Sequence, residues 1–297
     1  MPFGKHETFY LRDGWLSKGL VSIARNPRIF REKDAPVQLG IGRNMVRSLG
    51  FWTLAAGLAE RVKDEQRVLV HRLTPFGQMV WKHDPYLEDE GTLWLVHYHL
   101  ACSREQATTW YWFFNHFAPT LFDKETFLTE LGQWVIAQQD EQDVARRTLE
   151  RDFQVLVRTY LPGDRRRPPE DTLESPLIHL GLLAPVDKTT YRLCQPPVEQ
   201  IPPLVMLYVL LQEHPGQPRA ESSLNLLQAL REPMSVGRVF NLSAAVLIEL
   251  LQRLEYEHPE YAVRLVRTGG LDQLQLPSVT PAEVLTTYYQ RVGQLSM

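Results

Sequence analysis

The chain has 297 residues, of which 44% are hydrophobic and 23% charged, which is ordinary for a globular protein with room for two or three small domains. Its net charge of −3 is unevenly distributed, because residues 1–82 carry 14 Lys and Arg against 7 Asp and Glu. This basic third indicates a surface for an anion such as a nucleic acid. The absence of a long apolar run, of a secretory signal and of paired cysteines predicts a cytoplasmic protein.

The N-terminal stretch GKHETFYLRDGWLSKGL concentrates polar chemistry. It places His6, Glu7, Arg12, Asp13 and Lys18 within thirteen residues. If the stretch folds against the body, His6, Glu7 and Asp13 provide acid, base or divalent-metal chemistry, with Mg²⁺ or Mn²⁺ as the expected ion. Arg12 and Lys18 provide cations for a phosphate. The alternative is that these residues are surface or capping groups.

A helix–turn–helix pattern follows. DAPVQLG predicts a short helix, and Gly40 and Gly42 predict a tight turn into a long helix. At about 100° per residue, one face of this long helix is an apolar stripe. The stripe consists of Met45, Leu49, Trp52 and Ala56.

The opposite face of the long helix carries Arg43 and Arg47, with Asn44 beside them. Arg pairs with guanine edges and Asn with adenine in the major groove, so these three residues are candidate DNA contacts. The alternative is a helix used for protein docking, with solvated arginines.

The next stretch predicts a hairpin, with RVLVHRL as one strand, PFG as the turn and QMVW as the returning strand. Helix, turn, helix and hairpin together make the winged helix-turn-helix plan. Arg67, Arg72 and Lys82 then lie on or beside the wing, where they would bind phosphates.

Residues 87–200 are predicted to be largely helical, with an exposed loop at 161–171. The aromatic run WYWFFNHF and the histidines of HYH favour a core over base stacking or metal binding. Asp152, Glu170 and Asp171 are candidate metal carboxylates, although a solvated helix face and an acidic loop explain them equally well.

A second helix–hairpin unit is predicted near the C-terminus, with Ser243 as helix cap and YAVRLV and LDQLQLP as strands. The fold class is therefore mainly α with small β-hairpins, in two winged-helix-like units joined by a helical middle region. The predicted domains are 1–86, 87–200 and 201–297. The second unit, which is poorer in positive charge, is interpreted as structural or partner-binding.

Four motifs together resemble a known family: FGKHETFYLRDGWLSKGL, LGIGRNMVRSLGFW, LTPFGQMVW and RDFQVLVRTYLPG…EDTLESPLIHLGLL. The chain resembles, over nearly its whole length, a bacterial family associated with DNA phosphorothioation. This family includes SspB, the nicking component of the single-strand phosphorothioation (Ssp) defence system. The resemblance implies a protein that binds double-stranded DNA and nicks it for sulfur insertion, beside a cysteine desulfurase, an ATPase and an adenylating sulfur-transfer enzyme.

The resemblance carries no motif that identifies catalytic residues, and the sequence contains no P-loop, dinucleotide-binding motif or nucleophile elbow. Three functions therefore remain open at this point. They are a metal-dependent DNA nickase, a non-catalytic DNA-binding adaptor that recruits sulfur-transfer enzymes, and a transcriptional regulator.

Overall fold

The computed structural model describes residues 2–138, 144–163, 173–213, 223–268 and 271–295. They form two compact units, Met1–Cys194 and Gln195–Met297. The protein is mostly helical with three small antiparallel sheets, as the sequence predicts. The finer division into three domains stays a prediction. Glu170, Asp171 and most of the loop 161–171 lie outside the described residues.

The first unit begins with three helices, a hairpin and a fourth helix. In chain order these are α1 (Trp15–Arg25), α2 (Ala35–Leu39), α3 (Arg43–Ala55), β1 (Ala59–Lys63), β2 (Leu69–Leu73) and α4 (Pro75–His83). The predicted glycine turn is present, since Gly40 ends α2 in the left-handed region and Gly42 caps α3. Leu54 near the end of α3 and Leu58, which follows the helix, are both buried.

The predicted position of the hairpin is wrong. Its first strand is AERVK, paired from Ala59↔Leu73 to Lys63↔Leu69, and QMVW belongs to helix α4. Thr74 causes this difference, because its side chain accepts the N–H of Gly77 and Pro75 occupies the first helical turn. Gly77 is also required by packing, since a Cβ there would lie 1.9 Å from the carbonyl oxygen of Leu58.

The rest of the first unit consists of four helices and a three-stranded sheet. These are α5 (Glu90–Cys102), α6 (Thr108–Asn115), β3 (Leu121–Asp123), α7 (Lys124–Ala137), α8 (Arg146–Tyr160), β4 (Leu183–Pro185) and β5 (Thr190–Leu193), with strand order β3–β5–β4. The strands β4 and β5 lie in the region 87–200, which the sequence predicts to be largely helical. The aromatic run forms α6, in which all eight residues are buried.

The histidines of HYH lie in the core on α5, as predicted. His97 is fully buried and its Nδ1 lies 2.8 Å from the hydroxyl of Tyr160. His99 stacks on Phe76 at 4.7 Å between ring centroids. Both rings therefore take part in core packing, as the sequence predicts.

The second unit contains the predicted C-terminal hairpin and an additional strand. Its elements are α9 (Pro203–Leu210), β6 (Ser223–Asn225), α10 (Leu226–Arg231), α11 (Val236–Val239), α12 (Ala244–Glu257), β7 (Arg264–Thr268), β8 (Leu271–Gln275) and α13 (Pro281–Leu295), with strand order β6–β8–β7. Ser243 caps α12 as predicted, by accepting the N–H of Val246.

Within the described residues, no single helix is long and apolar enough to cross a membrane. One bent pair, Leu226–Val239 with Ala244–Glu257, meets the criterion by length and composition.

Candidate nucleic-acid interface

The N-terminal segment, defined here as residues 2–12, is attached to the body through one buried carboxylate on α8. Asp152 is 2% exposed, and its Oδ1 accepts hydrogen bonds from the N–H of Gly4 at 2.9 Å and from Nε2 of His6 at 2.8 Å. Its Oδ2 accepts the hydroxyl of Thr109 at 2.5 Å. This carboxylate is not part of a solvated helix face, which corrects that sequence interpretation, and its role as a metal carboxylate stays a prediction.

The protonation of the His6 ring follows from its two hydrogen bonds. The backbone N–H of Thr8 donates to Nδ1 at 3.1 Å, so Nδ1 carries no proton. Nε2 therefore carries the proton and donates to Asp152. Because the ring is 1% exposed and lies edge-on to Phe51 and Trp110, it has no free nitrogen for acid–base exchange with a substrate in this state.

The other two predicted catalytic carboxylates lie in different surroundings. Glu7 is half-buried and its Oε1 lies 3.7 Å from Nη1 of Arg47 on α3. Asp13 is exposed and lines a cleft of about 560 Å³ that also contains Glu88, Glu90 and Glu174. Burial, and then the charge of Asp89, raise the pKa of Glu90. His6, Glu7 and Asp13 thus lie in three different surroundings, and their catalytic role stays a prediction.

The start of α3 presents the predicted cationic residues to solvent. Arg43, Asn44 and Arg47 are all exposed, whereas Leu49 and Trp52 of the predicted stripe on the other side of the helix are buried. We call the three exposed residues the α3 cationic edge. The segment covers the inner side of α3, because Nε1 of Trp52 donates to the carbonyl oxygen of Phe9 at 3.1 Å. The α3 cationic edge is therefore exposed on a helix whose inner side is packed against the N-terminal segment.

The remaining predicted phosphate ligands differ in whether their charged groups already have partners within the protein. Arg67 at the hairpin tip and Lys82 at the end of α4 are exposed. Arg72 is ion-paired with Glu60 across the hairpin at 2.9 Å, so part of its charge is neutralised. Nζ of Lys18 donates to the carbonyl oxygen of Leu39 at 2.9 Å and thereby joins α1 to α2. Arg67 and Lys82 are the freer phosphate candidates.

Arg12 lies against aromatic rings. Its guanidinium carbon is 5.7 Å from the ring centre of Phe9, 5.6 Å from that of Tyr10 and 5.5 Å from that of Trp15. Arg158 on α8 lies 4.6 Å from the ring of Tyr10 as well. The sequence analysis missed Arg158, and no local pattern reveals this pairing because the two residues are 148 positions apart.

The hairpin contains a buried histidine whose titration destabilises the fold in acid. His71 on β2 packs on Phe30 at 4.7 Å, and its Nε2 has no hydrogen-bond partner among the described residues. Burial, and then the positive charge of Arg61, lower the pKa of His71 to about 4. An unfolded histidine has a pKa of about 6.5, so between these values the unfolded chain binds more protons.

We therefore expect the contribution of His71 to stability to be complete above about pH 6.5 and to disappear as the pH falls towards 4. Urea unfolding of the wild type should give a lower free energy of unfolding at pH 5 than at pH 7. His71→Gln removes the titrating group and should reduce this difference. An unchanged difference in the variant would mean that His71 is not the responsible group.

The described residues contain no group of three or more His, Cys, Asp or Glu that could hold a metal ion. Mg²⁺ is often bound by one or two carboxylates together with water and substrate phosphates. The described part of the chain thus offers no complete protein-made cage for the expected ion.

Comparison with known proteins identifies the family. Residues 3–289 match the family DUF4007, described as a protein of unknown function. The chain belongs to this family. Two solved structures align with this family member over 98% of its length and 88% of theirs. One is described as magnesium ion-bound SspB (TM-score 0.87, 29% identity) and the other as SspB (TM-score 0.86, 28% identity). The chain matches none of the curated proteins.

The resemblance to SspB is thereby confirmed, and the match extends through both compact units. The family description itself assigns no activity. The functional assignment of this family member therefore depends on its own exposed arginines on α3 and its buried His6–Asp152 pair.

Proposed function

We propose that this family member is a DNA-binding protein of a phosphorothioate modification and defence system, and that it nicks DNA to allow sulfur insertion. The α3 cationic edge is the observation that carries the proposal. Two arginines and an asparagine lie exposed on a helix whose opposite face is buried in the core. This arrangement suits insertion into a major groove. The likeness to SspB supports a place in the Ssp system.

The order of the elements supports a winged-helix interpretation. In the first part of the chain, α1, α2 and α3 are followed by the hairpin β1–β2. Two further groups of elements, β3 to β5 and β6 to β8, each begin with a strand, continue with helices and end with two strands. In each group the last strand is the central one of the sheet, with strand orders β3–β5–β4 and β6–β8–β7. We propose that the first group holds DNA and that the others are available for partners such as a cysteine desulfurase, an ATPase and a sulfur-transfer enzyme.

The second candidate function is a non-catalytic DNA-binding adaptor, and one observation favours it. His6, the best predicted acid or base, is buried with both ring nitrogens engaged. A general acid or base must reach the proton that it transfers, directly or through one water. Glu7 is the carboxylate of the N-terminal segment, and it is half-buried beside Arg47 at the surface. It is therefore the remaining candidate for catalysis within this segment.

The test is incubation of the purified protein with supercoiled plasmid in Mg²⁺, in Mn²⁺ and in EDTA. The nickase predicts open circles that require the divalent ion. The adaptor predicts intact plasmid that is retarded on a gel in all three conditions. Plasmid that is neither nicked nor retarded at low salt would exclude both functions.

If the wild type nicks plasmid, Glu7→Gln tests whether Glu7 takes part in the cleavage. If Glu7 takes part in cleavage, the variant binds DNA but loses metal-dependent nicking. If Glu7 only neutralises Arg47, the variant nicks as before and binds DNA more tightly, because the arginine is released. Glu65→Gln, at an exposed position in the β1–β2 turn, is the matched control and should leave nicking unchanged.

A further inference from the structure

A second cationic surface lies on α8. At about 100° per residue, Arg147, Arg151 and Arg158 fall within about 40° of one another on the helix. Arg147 and Arg151 are exposed and Arg158 is half-exposed. We call these three residues the α8 row. The residues that point the other way are buried in the core; they include Leu149, Phe153 and Leu156.

The charges of the α8 row are available to a ligand. Arg147 and Arg151 form no ion pair with a carboxylate of the described residues. Arg146, the neighbour of Arg147, differs in this respect. Its Nη2 lies 2.6 Å from Glu125, and its Nε lies 3.6 Å from Glu150. Arg146 is thus paired with carboxylates of α7 and α8, whereas Arg147 and Arg151 on the adjacent edge of α8 have no carboxylate partner among the described residues.

The end of the α8 row is held in position before any ligand arrives. The guanidinium of Arg158 lies over the ring of Tyr10 and donates to the carbonyl oxygen of Leu161 at 3.3 Å. Arg12 approaches the same ring at 5.6 Å, and its Nε is buried with no hydrogen-bond partner among the described residues. Guanidiniums fixed in this way lose little conformational entropy when they bind an anion.

The α8 row and the α3 cationic edge flank the same N-terminal segment. Gly4 and His6 are bonded to Asp152 of α8, and Tyr10 contacts Arg158 one and a half turns further along that helix. On its other side the segment contacts α3, where Glu7 lies beside Arg47. Residues 4–10 therefore contact both α8 and α3, and so lie between the helix of the α8 row and the helix of the α3 cationic edge.

We infer that the α8 row, with Arg12, binds the phosphate backbone of the DNA that the α3 cationic edge holds. Arg147 and Arg158 are eleven residues apart, or about 17 Å along the helix, which matches the rise of about five nucleotides along one strand. Arginine forks fit phosphate oxygens bidentately, and a row of them next to a DNA-reading helix suits a continuous polyanion. An acidic protein surface is the alternative occupant. This inference rests on the proposed DNA binding.

The experiment measures fluorescence anisotropy of a labelled DNA duplex with the full chain at a series of NaCl concentrations. The variant is Arg147→Ala with Arg151→Ala, and the matched control is Arg146→Ala. We expect the double variant to bind the duplex about tenfold more weakly at low salt. The slope of log affinity against log salt concentration should become smaller in magnitude by about 2, because two phosphate contacts are lost. Arg146→Ala should change both quantities little, because its charge is already paired.

Arg147 and Arg151 are exposed, so the double variant should unfold at the same temperature as the wild type, which a thermal melt verifies. Wild-type affinity and salt slope in the double variant would overturn the inference. If Arg43→Ala with Arg47→Ala still weakened binding in that case, the proposed DNA binding would stand, and an acidic protein would be the occupant to test. If the wild type fails to bind DNA even at low salt, the proposed function and this inference both fall.

Discussion

Replacement of Asp152 by alanine is expected to lower the free energy of unfolding by about 3 kcal/mol or more, since each buried donor left without an acceptor costs about 1–3 kcal/mol. Three donors lose their acceptor, namely the N–H of Gly4, Nε2 of His6 and the hydroxyl of Thr109. His6 and Thr109 are each 1% exposed, so water cannot replace the carboxylate without local opening. The N-terminal segment should therefore detach from α8.

Urea unfolding measures the loss of stability, and hydrogen exchange at the amides of Glu7 and Thr8 reports detachment of the segment. Glu150→Ala is the matched control on the same helix, because Glu150 is half-buried and pairs with Lys124 and Arg146 near the surface. The loss of such a pair costs about 0–1 kcal/mol. Asp152→Asn should lie between the two, because an amide keeps one acceptor oxygen and adds a donor that faces other donors.

A different result would change the function assigned to this carboxylate. If Asp152→Ala unfolded at the same urea concentration as the wild type but failed to nick plasmid, Asp152 and His6 would act in chemistry rather than in attachment of the segment. DNA affinity is expected to fall together with stability, because the segment connects the α3 cationic edge to the α8 row.

The parts of this fold that the sequence predicts are those determined by neighbouring residues. The exposed face of α3 follows from helical periodicity, and the C-terminal hairpin follows from alternation around a glycine turn. The α4 error has the same local origin, because Thr74 and Pro75 signal a helix start, whereas PFG was interpreted as a turn. The α8 row is also a local pattern, and the spacing of its arginines could have revealed it.

The attachment of the N-terminal segment could not be predicted in this way. His6 and Asp152 are 146 residues apart, and Thr109 comes from a third helix. In the sequence, each of these residues alone is consistent with catalysis, metal binding or capping. Only the folded arrangement shows that the imidazole of His6 and the hydroxyl of Thr109 are hydrogen-bonded to the carboxylate of Asp152. The three residues of the predicted polar site therefore have different environments in the fold. His6 forms a buried hydrogen bond, Glu7 a surface ion pair, and Asp13 lines an acidic cleft.

Charge reversal on the α3 cationic edge is expected to have the largest effect on DNA binding. Removal of a single arginine contact to a base costs about 1–3 kcal/mol, so Arg43→Glu with Arg47→Glu should weaken duplex affinity at least about 30-fold at low salt. Both side chains are exposed, so the fold should tolerate the change. Reversal at Arg47 also places a glutamate beside Glu7, which adds repulsion at the surface rather than in the core.

The α3 variant should be compared with a hairpin variant, Arg72→Glu, in which Arg67 is unchanged. Arg72 is already paired with Glu60 on the same face of the hairpin. If the α3 cationic edge enters the groove, the α3 variant should lose affinity and sequence preference together. The hairpin variant should lose affinity only modestly and equally for all sequences. Equal losses in the two variants, without any change in sequence preference, would mean that α3 contributes charge but does not read the bases. Unchanged duplex affinity in the α3 variant would exclude this helix as the DNA contact.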